Sequence, residues 1–365
     1  MKRKNMLLSI LLTALLTTGL LAGFVSPAPV EEAREQLSQL SDFIPAFVRG
    51  FTGTVLVAQG ENILFAEAFG IADPEQGIET TLDTTFFIGS VSKSITGAAI
   101  LILESEGKIC RSDTLDMFFT GHDNLANVTV DHLLTMRGGF GCHGNSIVSS
   151  IHELVLAGEM EIKEALEKFI ALTPLDVEAH IIANWGGRTP RSFAYANADT
   201  YLLARIVSRV SGMPFEDFLM SRIFEPAGMT RSGFGGAHVE AVPSSIPNII
   251  YGVDIGNPMN SPFSYLYGSG GLSSTVGDLN LFLDAYFGGR LFPGYMLETI
   301  YNTTYNYGWS FMTNRVFRHG GHVAGAHAFV IYERSSSTRI ILLATSPNPP
   351  MQFIISEIKR ILWGM

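Results

Sequence analysis

Alternating and β-rich hydrophobic positions predict strands near both ends of the chain. Residues 54–58 and 63–68 are short β-rich runs separated by residues 59–62, Gln-Gly-Glu-Asn, which is typical of a hairpin. Near the other end, residues 326–332 and 339–344 form two further β-rich runs. Because both ends contribute strands, we expect one sheet built from both termini.

Helical spacing of apolar residues predicts the remaining elements. Apolar side chains recur at helical intervals over residues 31–48, and a C-terminal helix is predicted from Met351. Between the strands the pattern is mostly helical, with helices predicted over residues 95–103, 162–172, 199–211, 214–224 and 278–287. The expected fold class is therefore α/β (α+β) with an inserted all-α domain. We place the sheet part at about 31–90 and 290–365, and the helical part at about 91–289.

The N-terminus has the composition of a targeting segment. Lys2, Arg3 and Lys4 precede an apolar run of 20 residues, 6–25, and a proline-rich acidic stretch follows. This order predicts a signal peptide over residues 1–28, removed to leave a domain over 31–365. Because 20 apolar residues can also span a bilayer, an uncleaved membrane anchor at 6–25 remains the alternative. In both cases we expect a secreted, periplasmic or membrane-anchored protein.

Composition limits the partners and the role of the cysteines. The 365 residues are 47% hydrophobic and 16% charged, which is ordinary for a globular protein. A net charge of −10 without any basic run argues against nucleic acid as a partner. Cys110 and Cys142 are the only cysteines, so the chain is no disulfide scaffold, and a single bridge or two free thiols both stay open. None of this determines the oligomeric state.

The first candidate chemical motif is Ser90 with Lys93. The two side chains are three residues apart at the start of an apolar helix, so one helical turn places them on the same face. A serine hydroxyl is a weak nucleophile, and a nearby amine can activate it. Ser105 and Ser356 also have a lysine three residues later, but they lie at a polar helix end and on a charged helix. The apolar surroundings favour Ser90 as a nucleophile, because a lysine there is costly unless paired or functional.

A second candidate pair is Tyr195 with Asn197, in a loop just before a predicted helix. A tyrosine hydroxyl close to a cation can accept or donate a proton, and an asparagine can orient an amine or an amide. By itself the pair is equally typical of a packed tyrosine beside a turn asparagine.

The third candidate is the segment 318–325, whose central residues are His319, Gly320, Gly321 and His322. The glycines allow close approach of the backbone to a ligand, and an N–H after them could complete an oxyanion hole with that of Ser90. A glycine-rich hairpin with surface histidines is the alternative. His327 adds a third histidine, but we expect strand alternation to place His322 and His327 on opposite faces. We therefore predict no metal site.

Taken in order, Ser-x-x-Lys, Tyr-x-Asn and His-x-Gly resemble the motifs of the serine β-lactamase and penicillin-binding-protein superfamily. The resemblance is closest to its class C β-lactamase-like esterases, D-aminopeptidases and carboxypeptidases. Segments 129–135, 224–230 and 270–278 agree with that branch. The chain departs from it at 136–139, Met-Arg-Gly-Gly, where the family usually has His-Thr-Ser-Gly. It also departs at His319, where β-lactamases carry a lysine that helps to hold the substrate carboxylate.

The resemblance implies a β-lactamase/transpeptidase-like fold, with an antiparallel sheet flanked by helices, an all-α domain, and the active site between the two. It implies a serine hydrolase in which Ser90 forms an acyl-enzyme while Lys93 and Tyr195 transfer protons. Asn197 would orient Lys93 and the substrate.

For the third motif, the resemblance implies that His319 hydrogen-bonds Tyr195 or the substrate, and that the N–H groups of Ser90 and His322 hold the oxyanion. No cofactor is expected. The expected substrates are small esters or short D-amino-acid amides and peptides. A D,D-carboxypeptidase or weak β-lactamase is one alternative, and a catalytically idle binding or scaffolding protein is another.

Overall fold

The computed structural model describes residues 29–48, 50–73, 76–140, 157–161, 164, 167–168, 171–187, 192–234, 249–250, 253–254, 266–300, 305–313, 315–323, 325–345 and 351–364. The predicted signal or anchor segment, Cys142 and most of the helix predicted over 162–172 lie outside these residues. Within the described ranges, no helix is both long and apolar enough to cross a bilayer.

The described strands, numbered in chain order, are β1 (Gly53–Gln59), β2 (Asn62–Phe69), β3 (Ile71–Asp73), β4 (Ile78–Glu79), β5 (Phe86–Phe87), β6 (Gly233–Phe234), β7 (Ile249–Ile250), β8 (Val253–Asp254), β9 (Leu272–Ser274), β10 (Tyr305–Asn306), β11 (Trp309–Thr313), β12 (Val316–Val323), β13 (Ala326–Glu333) and β14 (Thr338–Thr345). The predicted strands near both ends are confirmed. Residues 318–323 of the third candidate segment, which precedes the strand predicted over 326–332, are themselves part of β12.

The described α-helices of five or more residues are α1 (Val30–Ser38), α2 (Leu40–Phe47), α3 (Ser92–Ser105), α4 (Val130–Leu134), α5 (Pro174–Ala183), α6 (Asn197–Ser211), α7 (Phe215–Leu219), α8 (Val276–Phe287) and α9 (Met351–Trp363). A turn of π-helix, Met220–Phe224, continues α7. The single helix predicted over 31–48 is two helices, α1 and α2.

One seven-stranded antiparallel sheet joins the two ends of the chain. Its strand order is β10-β11-β12-β13-β14-β1-β2, so the N-terminal hairpin pairs directly with the last strand. The pairing confirms the predicted sheet from both termini. It also places β12, with the third motif, on the side of the sheet away from the N-terminal hairpin.

Residues of β1 alternate between two hydrophobic cores, as expected for a sheet covered on both faces. Val55 and Val57 belong to the core shared with α1, α2 and α9. Leu56 and Ala58 belong to the larger core, which contains the buried residues of α3 and α6. The apolar run of α3 therefore packs between the sheet and the helical part of the chain. That position brings the start of α3 beside β12.

Candidate active site

Lys93 occupies the centre of the site. Its side chain is fully buried in the first turn of α3, and its Nζ atom lies 3.0 Å from Ser90 Oγ. Nζ also lies 2.8 Å from Asn197 Oδ1 and 2.7 Å from the main-chain carbonyl oxygen of Ser269. Amide and carbonyl oxygens can only accept hydrogen bonds, so Nζ donates to both of them. The amine is thereby aimed at the hydroxyl group of Ser90.

The fold, rather than sequence proximity, brings these groups together. Ser90 lies in a 3₁₀ turn, Gly89–Val91, directly before α3, whereas Asn197 is the first residue of α6. Ser269 lies 176 residues after Lys93. Sequence analysis missed it, because a residue that acts through its main-chain carbonyl has no side-chain signature. The signal was indirect, since Ser269 immediately precedes the Gly-Gly-Leu segment at 270–272.

Tyr195 lies over the amine of Lys93. Nζ is 5.0 Å from the centroid of the tyrosine ring, and the side chain of Tyr195 is 40% exposed. The flanking backbone is held by Met136, whose carbonyl oxygen accepts a hydrogen bond from Ala194 N at 2.8 Å. Met136 adopts a φ of 55°, which is uncommon for a residue with a side chain. This turn therefore holds the residue that immediately precedes Tyr195.

The 3₁₀ turn with Ser90 packs closely against β12. A Cβ atom on Gly89 would lie 2.6 Å from His322 N, and one on Gly321 would lie 3.0 Å from Ser90 N. Gly89 also has a positive φ of 49°. The main-chain nitrogens of Ser90 and His322 therefore border one small region, where two N–H groups can stabilise the same developing oxyanion.

His319 is buried and faces Tyr305. Its Nδ1 atom lies 2.7 Å from the carbonyl oxygen of Gly320, so Nδ1 carries the proton and donates it. Nε2 then accepts from the Tyr305 hydroxyl at 3.1 Å. Burial, reinforced by the nearby charge of Lys93, lowers the pKa of His319 to about 3. The imidazole is therefore neutral at ordinary pH.

These contacts differ from the expected hydrogen bond of His319 to Tyr195 or the substrate. Both ring nitrogens are engaged elsewhere, and the centroids of the His319 and Tyr195 rings lie 6.2 Å apart. Burial raises the pKa of Tyr305 well above the usual value for a tyrosine. The ring of Tyr305 also packs edge-on against that of Tyr195. Sequence analysis missed Tyr305 because no motif surrounds it.

The comparison with known proteins agrees with this geometry. Residues 40–359 match the protein family described as Beta-lactamase, which covers most of the chain. The chain belongs to the β-lactamase family. It is accordingly a serine hydrolase of the β-lactamase and penicillin-binding-protein superfamily, with a mixed α/β fold.

The names of the individual relatives indicate different activities. The chain is 27% identical to the putative penicillin-binding protein PbpX of Bacillus subtilis, over 82% of this chain and 72% of that protein. It is also 27% identical to esterase EstB of Burkholderia gladioli, over 69% of each chain. The crystal structure of D-amino acid amidase from Ochrobactrum anthropi SV3 has the same fold, with a TM-score of 0.70 at 19% identity, covering 91% and 98% of the two chains.

One departure from the pattern expected for the β-lactamase family lies in the loop at 136–139. Gly138 N donates a hydrogen bond of 2.9 Å to the carboxyl group of Asp199, a fully buried residue in the first turn of α6. Burial raises the pKa of Asp199 to about 8. A Cβ atom on Gly138 would lie 2.7 Å from the same carboxyl group, so the glycine makes room for the aspartate. Asp199 therefore ties the loop that holds Tyr195 to the helix that begins with Asn197.

The structure also differs from our prediction for two histidines, one in β12 and one in β13. We expected His322 and His327 on opposite faces, and this prediction was wrong. They are direct partners across β12 and β13, and their ring centroids lie 4.4 Å apart. Counting alternation along the chain fails because the hairpin reverses direction between them, so the register of β12 on β13 decides which residues share a face.

Proposed function

We propose that this protein is an exported serine hydrolase that acts on esters or short D-amino-acid amides and peptides through an acyl-enzyme on Ser90. The observation that carries the proposal is the set of three contacts at Lys93 Nζ. Two acceptors, Asn197 Oδ1 and the carbonyl oxygen of Ser269, occupy two N–H groups. The remaining direction of Nζ points at Ser90 Oγ, 3.0 Å away.

This arrangement defines the proton transfer of the first step. In its neutral form Lys93 donates two N–H hydrogen bonds, one to Asn197 Oδ1 and one to the carbonyl oxygen of Ser269, and its lone pair points to the Ser90 hydroxyl. As Ser90 Oγ attacks the substrate carbonyl, its proton moves to Nζ. The carbonyl oxygen takes up the negative charge between the N–H groups of Ser90 and His322.

Tyr195 is the proposed proton donor to the leaving group. Its ring lies over the Lys93 amine, and its partial exposure gives it access to a bound substrate. A proton taken up by Lys93 can pass to the leaving alcohol or amine through the tyrosine hydroxyl. Water then attacks the acyl-enzyme in the reverse sequence of transfers, releasing the acid and restoring Ser90.

The third motif favours esters and simple amides over β-lactams and carboxypeptidase substrates. The latter two present a carboxylate to the position that His319 occupies, and His319 is neutral and bonded to Tyr305. A neutral imidazole whose only ring proton is donated to Gly320 offers no charge to such a carboxylate. The esterase and D-amino acid amidase among the relatives support the same substrate classes.

Export rests on the basic residues Lys2, Arg3 and Lys4 and the apolar run at 6–25. N-terminal sequencing of protein recovered from the medium, the periplasm and the membrane fraction tests it. A new N-terminus near residue 28 supports cleavage, whereas intact protein in the membrane supports the anchor. Intact protein confined to the cytoplasm would refute export.

A fluorophosphonate probe, used with a panel of p-nitrophenyl esters, D-aminoacyl amides and nitrocefin, tests the function. We expect probe labelling and ester or amide turnover by the wild type. Ser90→Ala should lose labelling and at least about a thousandfold in rate. Ser105→Ala is the matched control, because Ser105 has the same spacing to a lysine but hydrogen-bonds Ile102 O on the far end of α3.

If Ser90→Ala retains turnover, Ser90 is not the nucleophile. Absence of labelling and of turnover on every substrate would favour the idle binding or scaffolding protein. Faster turnover of nitrocefin than of any ester or amide would favour the β-lactamase alternative.

A further inference from the structure

Two histidines outside the proposed proton-transfer chain lie beside the nucleophile. His322 and His327 face each other across β12 and β13, with ring centroids 4.4 Å apart and ring planes inclined by 28°. His322 is exposed and His327 is half-buried. Together with Ser90 and the start of α9 they line a cavity of about 510 Å³. The imidazole of His322 is therefore open to solvent, and that of His327 borders the same cavity.

We propose that His322 and His327 form a two-histidine site for a divalent transition-metal ion, such as Cu²⁺ or Zn²⁺. Imidazole nitrogen is the commonest protein ligand for these ions. Zn–N bonds of about 2.0–2.1 Å allow two ligating nitrogens to be up to about 4 Å apart. The two rings are stacked with their centroids 4.4 Å apart on one face of adjacent strands, so rotation of both side chains out of the stacked arrangement can turn one nitrogen of each ring toward a shared ion.

The strands pre-organise the two ligands. Both residues lie in the paired part of the β12–β13 hairpin, where Val323 pairs with Ala326 next to them. A metal ion therefore binds without ordering a loop, which lowers the entropic cost of forming the site. Each imidazole has two ring nitrogens, so one nitrogen can bind the ion while the other keeps a hydrogen bond. Water molecules in the cavity complete the coordination.

Among the described residues, no group of three or more His, Cys, Asp or Glu side chains is placed to hold a metal ion. A site with two histidine ligands therefore binds the ion weakly and reversibly. The ion modulates the activity of the protein and is not a resident cofactor. The ion would lie in the cavity that Ser90 lines, beside the residue whose N–H contributes to the oxyanion hole. We expect a bound ion to inhibit hydrolysis by obstructing the substrate.

The test measures Cu²⁺ binding to the Ser90→Ala protein, purified without a polyhistidine tag. Cu²⁺ is the best probe because it binds nitrogen sites most tightly among the first-row divalent ions. Electron paramagnetic resonance should show nitrogen ligation, and titration calorimetry should give the affinity. Since even loss of an outer-shell partner costs about tenfold or more, His322→Gln or His327→Gln in the same background should weaken binding by at least about tenfold.

His122→Gln is the matched control, because His122 is an exposed histidine outside the cavity. The exposed position of His322 makes its variant the safer one for folding, and far-UV circular dichroism checks every variant. Unchanged Cu²⁺ affinity in both His322→Gln and His327→Gln, or equal loss in His122→Gln, would overturn the proposal. Because binding is measured without the nucleophile, the result is independent of whether the proposed hydrolase activity is correct.

A kinetic measurement on the wild type adds the functional consequence. Zn²⁺ should lower the rate of ester hydrolysis, and EDTA should restore it. In His327→Gln the remaining activity should be less sensitive to Zn²⁺ than that of the wild type. Equal sensitivity of the two proteins would place the inhibitory ion elsewhere.

Discussion

Gly321 packs against the main chain of Ile88 so closely that a Cβ atom on the glycine would lie 1.9 Å from the carbonyl oxygen of Ile88. No side chain fits at that distance. The contact joins β12 to the segment that leads into Ser90, and it sets the spacing of the two main-chain N–H groups proposed to bind the oxyanion. Gly321 of the third motif is thus required, because any larger residue would clash with the carbonyl oxygen of Ile88.

Gly321→Ala should disable the site while leaving most of the fold intact. The added methyl group must push β12 away from the turn with Ser90, and a misplacement of about 1 Å can cost about a hundredfold in rate. We expect kcat/KM on the best ester to fall by at least about a hundredfold. Gly233→Ala is the control, since a Cβ atom there meets nothing within 4 Å. Near wild-type kcat/KM in Gly321→Ala would show that this spacing is unimportant.

Tyr195→Phe tests the proposed proton donor by removing only the hydroxyl group. Because one positioned acid–base group is worth about a hundred- to ten-thousandfold, we expect kcat to fall in that range. The wild-type rate should also rise with pH through a step that belongs to the Lys93–Tyr195 pair, and the variant should lose or shift this step. Tyr295→Phe, at a tyrosine that is 68% exposed, is the control. An unchanged rate and pH profile would make Tyr195 a packing residue.

Nitrocefin hydrolysis should be slow at every ordinary pH. Because the pKa of His319 is about 3, lowering the pH from 7 to 5 does not charge it. His319→Lys should raise kcat/KM for nitrocefin by about tenfold or more, since a hydrogen bond to a charged group is worth about 1.5–3 kcal/mol. His319→Gln, which stays neutral, should give no gain. A steep rise in wild-type turnover between pH 7 and 5 would contradict the neutral imidazole.

Asp199 should make the stability of the protein decrease with rising pH. Its pKa is about 8 in the folded protein against an ordinary value of 3.8, so the folded state binds more protons between these values. The free energy of unfolding therefore falls as the pH rises from about 4 to about 8. Asp199→Asn keeps an oxygen for Gly138 N but cannot ionise, so its unfolding midpoint should change less between pH 5 and pH 8.

Thermal unfolding followed by fluorescence at both pH values measures this difference. Asp217→Asn, at an exposed carboxyl group, should retain the wild-type pH dependence. If Asp199→Asn also retains it, the buried carboxyl group of Asp199 does not titrate in this range.

Much of the fold and part of the site were predictable because they depend on local pattern. Period-two and helical spacing predicted the strands at both ends and most of the described helices, and a sheet from both termini follows from them. Ser90 and Lys93 are one helical turn apart, so the sequence alone determines that they are neighbours. The order of the three motifs was sufficient to indicate the family.

The tertiary structure decided everything that depends on register and on distant main-chain atoms. The carbonyl oxygen of Ser269 and the hydroxyl group of Tyr305 enter the site through the fold and have no sequence signature. Pairing across the β12–β13 hairpin places His322 and His327 on the same face of the sheet. Counting alternate residues along the chain had predicted opposite faces. Side-chain pattern specifies elements, because it records which face is buried. It does not record which atoms of separate elements meet, because long-range packing fixes those contacts.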